Sequence, residues 1–267
     1  MAHVHPSASV DPGARLSATT AVGPFSVIGP DVVLGDDVVV GAHVVVTGRT
    51  SIGARTEVHP FTSLGGPPQA QGADFADARL EIGTDNVIRE HVSVHVGTTA
   101  GGNTTRIGDH NMIMNASHIG HDCTVGSHCV FASYSGLAGH AIVEDHAFLG
   151  AYTGVHQHAR IGESVMTAAN TKLSLDAPPF SMVAGDRARV VGVNKVGLKR
   201  RGFSSERQGH IKRAFHLLFH SDLRLAEALS TVREEHKVGS QGQVTEEHDV
   251  ERLLLFLEAS KRGFCRS

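Results

Sequence analysis

Cysteine is scarce. Cys123, Cys129 and Cys265 are the only three in 267 residues, and no two of them form a CxxC pair. An odd, dispersed set argues against a disulfide framework and against a thiolate zinc site, and points to a reducing compartment. Neither sign of charge dominates: 24 lysines and arginines face 27 acids, for a formal net charge of -3. That balance argues against a chain-wide field tuned to nucleic acid, although a local basic patch stays open. Long apolar runs are missing as well. No stretch approaches the ~18 unbroken apolar residues of a membrane helix, and Met1-Ala2-His3-Val4-His5-Pro6 lacks a charged leader followed by an apolar core. The expectation is a soluble cytoplasmic protein with no membrane insertion and no nucleic-acid partner.

What the chain does have is a repeat. Val4, Val10, Leu16, Val22, Ile28, Leu34, Val40, Val46, Ile52, Val58 and Leu64 are aliphatic at an unbroken spacing of six. A helix buries residues at intervals of three and four and a simple strand at intervals of two, so this period fits neither as an extended element. Short strands joined by turns do fit it, with the aliphatics stacked inward as a ladder. Gly or another small residue often follows the aliphatic, as in Val22-Gly23 and Ile52-Gly53, and is expected to form the corner by taking unusual backbone angles. The ladder continues at Ile82, Ile88 and Val94, then runs one residue out of phase from Ile107 through Ile119, Leu137 and Val155 to Leu173. Two interruptions, 65–79 and 97–106, read as projecting loops.

Composition changes after a connecting segment from Phe180 to Val193. Helical spacing then places Ile211, Phe215, Leu218 and Phe219 on one face, and Val250, Leu253, Leu254 and Leu257 on another. Between these helices, Asp222 is expected to cap a third that carries Leu225, Leu229 and Val232. Lys237 to Val244, with Gly239 and Gly242, is expected to be the loop before the last helix. The division is a β-coil over 1–190 and a helical region over 191–267.

Chemistry concentrates in Asn115 to Val125, where His118, His121 and Asp122 crowd into the repeat. An imidazole with an ordinary pKa near ~6.5 accepts a proton at neutral pH, so His121 is a candidate general base. Surface histidines on a repeat scaffold are the plainer reading, and spacing alone does not choose between them.

The ladder resembles the hexapeptide-repeat transferases, which implies a left-handed parallel β-helix with three strands per coil and a homotrimer. More narrowly, the run from His118 to Gly126, Ala138-Gly139-His140, Gly154-Val155-His156-Gln157, Gly192-Val193-Asn194 and Gly197 to Phe203 are similar to the UDP-N-acetylglucosamine acyltransferases of lipid A biosynthesis. That resemblance implies transfer of a fatty acyl group, often 3-hydroxylated, from acyl carrier protein to the 3-hydroxyl of the sugar nucleotide, with no separate cofactor or metal. It assigns His121 as base, Asp122 as its orienting acid and the Gly139 N–H as oxyanion donor. Gln69, His118, His140, His156, Gln157, Asn194, Arg200 and Arg201 become substrate-binding residues, and Ala168 and Ala169 the floor of the acyl cleft. Lys195, Lys199, Arg207, Lys212 and Arg213 extend a basic zone suited to an acidic carrier protein. With three hexads per coil, Gly139 falls one layer from His121 and His140 one layer from Asp122, at the ~4.8 Å strand spacing.

Some positions depart from the family pattern. Ala70 and Gly72 stand where the family carries an acid and a lysine, and Val196 where it carries another acid. These changes leave the base in place and remove part of the acceptor clamp, so a different amino-sugar nucleotide is an alternative acceptor. A metal hydratase like the γ-carbonic anhydrases and a non-catalytic binding scaffold are two further readings.

Overall fold

The computed structural model describes residues 2–236 and 247–266. Among them, short strands form three sheets of eleven, nine and eight strands, and each strand of the coil pairs in parallel with the one three places on, the last two strands of the first sheet excepted. His3 pairs with Ala21, Ser9 with Val27 and Arg15 with Val33, so one coil is eighteen residues. The result is a left-handed parallel β-helix followed by helices. Both expected interruptions loop out without disturbing the stack: Val58 still lies beside Ile88, and Val94 beside Ile119. Their observed extents are narrower, because flanking strands run Ser63–Gly66, Arg79–Ile82, Ser93–His95 and Thr104–Ile107.

The aliphatic ladder is the core from Val22 to Leu173, and Ile113, Ile119, Phe131 and Leu149 have no measurable exposure. Val4, Val10 and Leu16 are the exceptions, since the first coil has no layer beneath it to complete their burial. A second interior column of small residues sits two positions before the aliphatics. Its hydroxyls bond to carbonyls, as in Ser26 Oγ to Gly41 O at 2.7 Å and Thr62 Oγ1 to Arg89 O at 2.7 Å. Cys123 and Cys129 occupy this column and donate to Ala138 O and Glu144 O. Burial pushes both thiols up to about 12, which leaves them protonated and inert. All three cysteines are free.

The corners correct one expectation. Gly23 and Gly53 do not take left-handed angles; they are small because the next coil passes against them. A Cβ on Gly23 would lie 2.7 Å from the Gly41 carbonyl, and one on Gly53 2.6 Å from that of Gly83. Positive φ instead falls on the residue three after the aliphatic, for example Asp37, His43, Asp122, His128 and His140. Asp, Asn and His tolerate that region better than most side chains. Seven of the nineteen histidines sit at such corners (43, 91, 110, 128, 140, 146 and 158), so a good part of this enrichment is architectural. Stacked one coil apart, the corner rings form ladders: Phe25, His43, Phe61 and His91 lie 5.0–5.1 Å from their neighbours.

The segment expected to be a connection is two strands. Ser181–Ala184 continues the first sheet and pairs antiparallel with Arg189–Val193, so the expected boundary at 190 falls within the last strand. Four helices follow: α1, Lys195–Arg200; α2, Ser205–Phe219; α3, Leu225–Glu235; and α4, Glu247–Glu258. Ser204 caps α2 by accepting the Arg207 N–H at 3.0 Å. At α3 the expected cap is displaced: Arg224 holds the N-cap position, and Glu227 reaches back to its N–H at 3.1 Å. Asp222 lies outside the helix because the backbone turns two residues later than its side chain alone would indicate. The faces agree with the spacing, with Ile211, Phe215 and Phe219 buried on α2 and Val250, Leu253, Leu254 and Leu257 on α4. The loop expected over Lys237–Val244 lies outside the described residues. Arg207 and Asp249 tie α2 to α4 at 2.8 Å, and the chain end returns to the coil where the Cys265 N–H meets Asp176 O at 2.8 Å. No helix among the described residues is long and apolar enough to cross a membrane.

Candidate active site

His118 lies on the outer face of the second sheet, on the strand His118–Ile119, and the chain then turns the corner that carries His121 and Asp122. Asp122 takes a left-handed φ of 60°, which swings its carboxylate back beneath the neighbouring ring. His121 Nδ1 is 2.7 Å from Asp122 Oδ2, and the acid's side chain is 1% exposed while the ring is 16% exposed. A carboxylate accepting Nδ1–H selects the tautomer with a lone pair on Nε2. That nitrogen faces Gly139. A Cβ built on Gly139 would lie 2.5 Å from both Cε1 and Nε2, so only glycine admits the ring in this position. Among the described residues the Gly139 N–H has no acceptor. It is therefore an available donor beside the basic nitrogen.

His140 stands one layer above Asp122, as the coil arithmetic requires. Its Nε2 is 3.7 Å from Oδ2, beyond a hydrogen bond, and its ring packs edge-on to His121 at 5.1 Å and stacks on His158 at 4.5 Å. Burial lowers its proton affinity below that of a free imidazole. His118 is shifted the same way by burial, and His95 and His121 add positive-charge repulsion. Its Nδ1 shares a hydrogen bond with Ser93 Oγ at 2.9 Å.

A cleft of about 770 Å³ runs over this face, lined by Gln69, His118, His121, Gly139, His156 and Gln157 together with Gly136 and Gly154. Gln69 arrives on the first projecting loop, which is pinned where His95 Nδ1 donates to Pro67 O at 2.6 Å. Lys172, Ser174, Asp186 and Arg187 also line the cleft, none of which sequence reasoning singled out. Lys172 and Ser174 could have been found from the ladder, since they fall one coil from Gly154 and His156. Ligand atoms of His121, Asp122 and His140 lie within 4.8 Å of one another and could hold a metal. Yet Nδ1 of His121 is already bound to Asp122, and two histidines with one acid are not the three-histidine set of a carbonic anhydrase.

This scaffold and pocket have relatives. Residues 13–48 and 104–139 match the bacterial transferase hexapeptide model, and residues 176–265 match the model for domain 2 of UDP-N-acetylglucosamine O-acyltransferase. The acyl-[acyl-carrier-protein]--UDP-N-acetylglucosamine O-acyltransferase of Myxococcus xanthus is 44% identical over 266 residues, covering 100% of both chains. The chain belongs to the UDP-N-acetylglucosamine O-acyltransferase family. The Thiobacillus denitrificans member is 45% identical over the same full span. The solved UDP-N-acetylglucosamine acyltransferase of Francisella novicida superposes with a TM-score of 0.93 at 32% identity, covering 99% of this chain and 94% of that one.

Several residues expected in this family's site lie outside the cleft within one chain. Asn194 is buried and caps α1, accepting the Gly197 N–H at 3.0 Å and donating to Ser164 O at 2.9 Å. Arg201 pairs with Glu163 at 2.7 Å and packs beside Phe203, while Arg200 is exposed. Ala168 and Ala169, expected at the acyl floor, sit on the corner after Met166–Thr167, half-buried and exposed respectively. Of the departures, Gly72 has φ +71° with open space around it. A lysine there would have to adopt a backbone that L side chains rarely take.

Proposed function

We propose that this protein transfers an acyl group from acyl carrier protein to the 3-hydroxyl of UDP-N-acetylglucosamine, the first step of lipid A biosynthesis. The observation that carries the reading is His121 held by Asp122 with Nε2 free against the Gly139 N–H, in a cleft on this family's scaffold. In it, Nε2 takes the proton of the sugar hydroxyl as the oxygen attacks the thioester carbonyl. Negative charge gathers on the carbonyl oxygen, where the Gly139 N–H donates to it. Collapse forms the ester and breaks the C–S bond, and the imidazolium returns its proton to the departing thiolate. Asp122 stabilises that imidazolium without itself taking the proton.

The same reading includes a homotrimer. Outward positions of the first sheet are mostly apolar, namely Val39, Val87, Met112, Val130, Phe148 and Met166, with Glu57 among them, and those of the second are Val27 and Val45 followed by the small or polar Ser63, Ser93, His118, Gly136, Gly154 and Lys172. The third presents charge instead, with Glu81 paired to Arg79 and Arg106 at 2.8 and 2.6 Å. A largely apolar face beside one of small side chains suits a closed ring in which the first sheet of one copy covers the second sheet of the next. Such a ring would lay a neighbour's first sheet, with Arg200 and Arg201 at its margin, across the cleft that they do not reach in their own chain. Replacing Val130 by glutamate is expected to shift the sedimentation coefficient from trimer to monomer and to lose transfer with it. A wild-type chain that sediments as a monomer would end the trimer reading.

The function itself is tested with 3-hydroxyacyl carrier protein donors of several lengths against a panel of UDP-amino sugars. Ester formation on UDP-N-acetylglucosamine is the expected result. Transfer only to another amino sugar would assign the consequence of Ala70, Gly72 and Val196 to acceptor choice, and transfer to none would overturn the enzyme reading.

A further inference from the structure

We propose that Thr98, on the second projecting loop, is a positioning residue that holds Asp122 and, through it, the ring of His121. The inference rests on His121 acting as the base. The loop folds back onto the acid: the Thr98 N–H donates to Asp122 Oδ1 at 2.8 Å and its hydroxyl donates to Oδ2 at 2.7 Å. The direction of the hydroxyl proton follows from its other contact. Thr98 Oγ1 accepts the Gly101 N–H at 3.0 Å, which leaves the O–H to point at the carboxylate. Gly101 itself presses on the acid, because a Cβ there would lie 2.1 Å from the carboxyl carbon. Behind Asp122, Thr105 Oγ1 accepts its backbone N–H at 2.8 Å. The acid is thus clamped on three sides, and the side open to His121 receives the imidazole.

Oδ2 serves two donors, the Thr98 hydroxyl and His121 Nδ1–H. With the Thr98 N–H on Oδ1 they engage both carboxylate oxygens, so Thr98 fixes the orientation in which Asp122 holds the ring. The other titratable groups facing this carboxylate are His140, 3.7 Å from Oδ2, and the buried Cys123 thiol next in the chain. The clamp also reaches the substrate side. Thr99 bonds to Asp74 through its N–H at 2.8 Å and its hydroxyl at 3.0 Å, which joins the second loop to the first, and the first loop carries Gln69 into the cleft.

The test compares kcat and KM of Thr98→Val and Thr98→Ser with those of wild type. Valine keeps the shape and the backbone N–H and removes only the hydroxyl donor. The expected result is a kcat reduced about tenfold, as for a lost hydrogen bond to a charged group, with KM for the sugar nucleotide nearly unchanged. Serine, which keeps the hydroxyl donor, restores kcat. If the valine chain does not fold, Thr98→Ala, which leaves room for a water, carries the same readouts. An unchanged kcat in the valine variant, a rise in KM in place of the fall in kcat, or a serine variant no better than valine would overturn the proposal. Transfer by the wild-type chain, measured alongside, separates the two failures: its absence sinks the acyl-transfer reading, whereas its presence with a wild-type-like valine variant sinks only the role of Thr98.

Discussion

Replacing His121 by alanine is expected to lower kcat for acyl transfer by about 10³-fold, within the range of a lost general base. The sugar hydroxyl is a weak nucleophile while it keeps its proton, and no other group is placed to take it with the same geometry. His140 is the nearest alternative, but its ring lies edge-on to His121 and stacks against His158. The fold is expected to survive. His121 sits on a corner outside the aliphatic core, and Asp122 keeps both hydrogen bonds from Thr98 after the ring is removed. The melting temperature should therefore stay within a few degrees of wild type while single-turnover transfer disappears. Undiminished turnover in the alanine variant would remove His121 from the mechanism, and joint loss of turnover and folding would show that its role is structural.

Gly139→Ala is the second large effect and acts through geometry. The added methyl would meet the His121 ring at 2.5 Å, closer than any carbon can approach, so the ring must leave its place. The glycine does not use left-handed angles, so alanine is acceptable to the backbone and the coil should form. A base moved by about 1 Å, with its donor N–H shifted beside it, is expected to cost roughly 10²-fold in kcat. Nuclear magnetic resonance of the His121 ring would show the displacement directly through a changed Nδ1–H signal. Wild-type turnover with a displaced ring would mean that the juxtaposition of Nε2 and the Gly139 N–H is not what the chemistry uses.

That these two residues are neighbours is legible in the amino-acid sequence, and the reason is the repeat. A hexad ladder converts sequence separation into spatial register, so residues eighteen apart are stacked whatever their side chains. The pairs His121 with Gly139 and Asp122 with His140 follow from that counting alone. The same regularity misleads where it concerns cause. Glycines after the aliphatics suggest strained corners, yet Gly23 and Gly53 answer to a neighbouring coil, and the strain falls on Asp, His and aromatic residues three positions past the ladder. The abundance of histidine suggests chemistry at many places, while seven of these side chains are corner residues.

By itself, then, the amino-acid sequence determined the coil, its period, its interior ladder and the layer that holds His121, because each follows from a repeated local choice that the next repeat reinforces. Tertiary structure decided everything that breaks the period. The second projecting loop has no ladder to set its register, so only its hydrogen bonds place Thr98 and Gly101 on the acid. The strands Ser181–Ala184 and Arg189–Val193 fall outside the hexad count, and their antiparallel pairing is visible only once the chain has turned back. Asn194 and Arg201 carry groups suited to a nucleotide, yet the fold of one chain commits them to a helix cap and to Glu163. Periodic contacts are local in sequence and can be counted, whereas loop and terminal contacts join residues whose separation obeys no rule, and packing alone selects them.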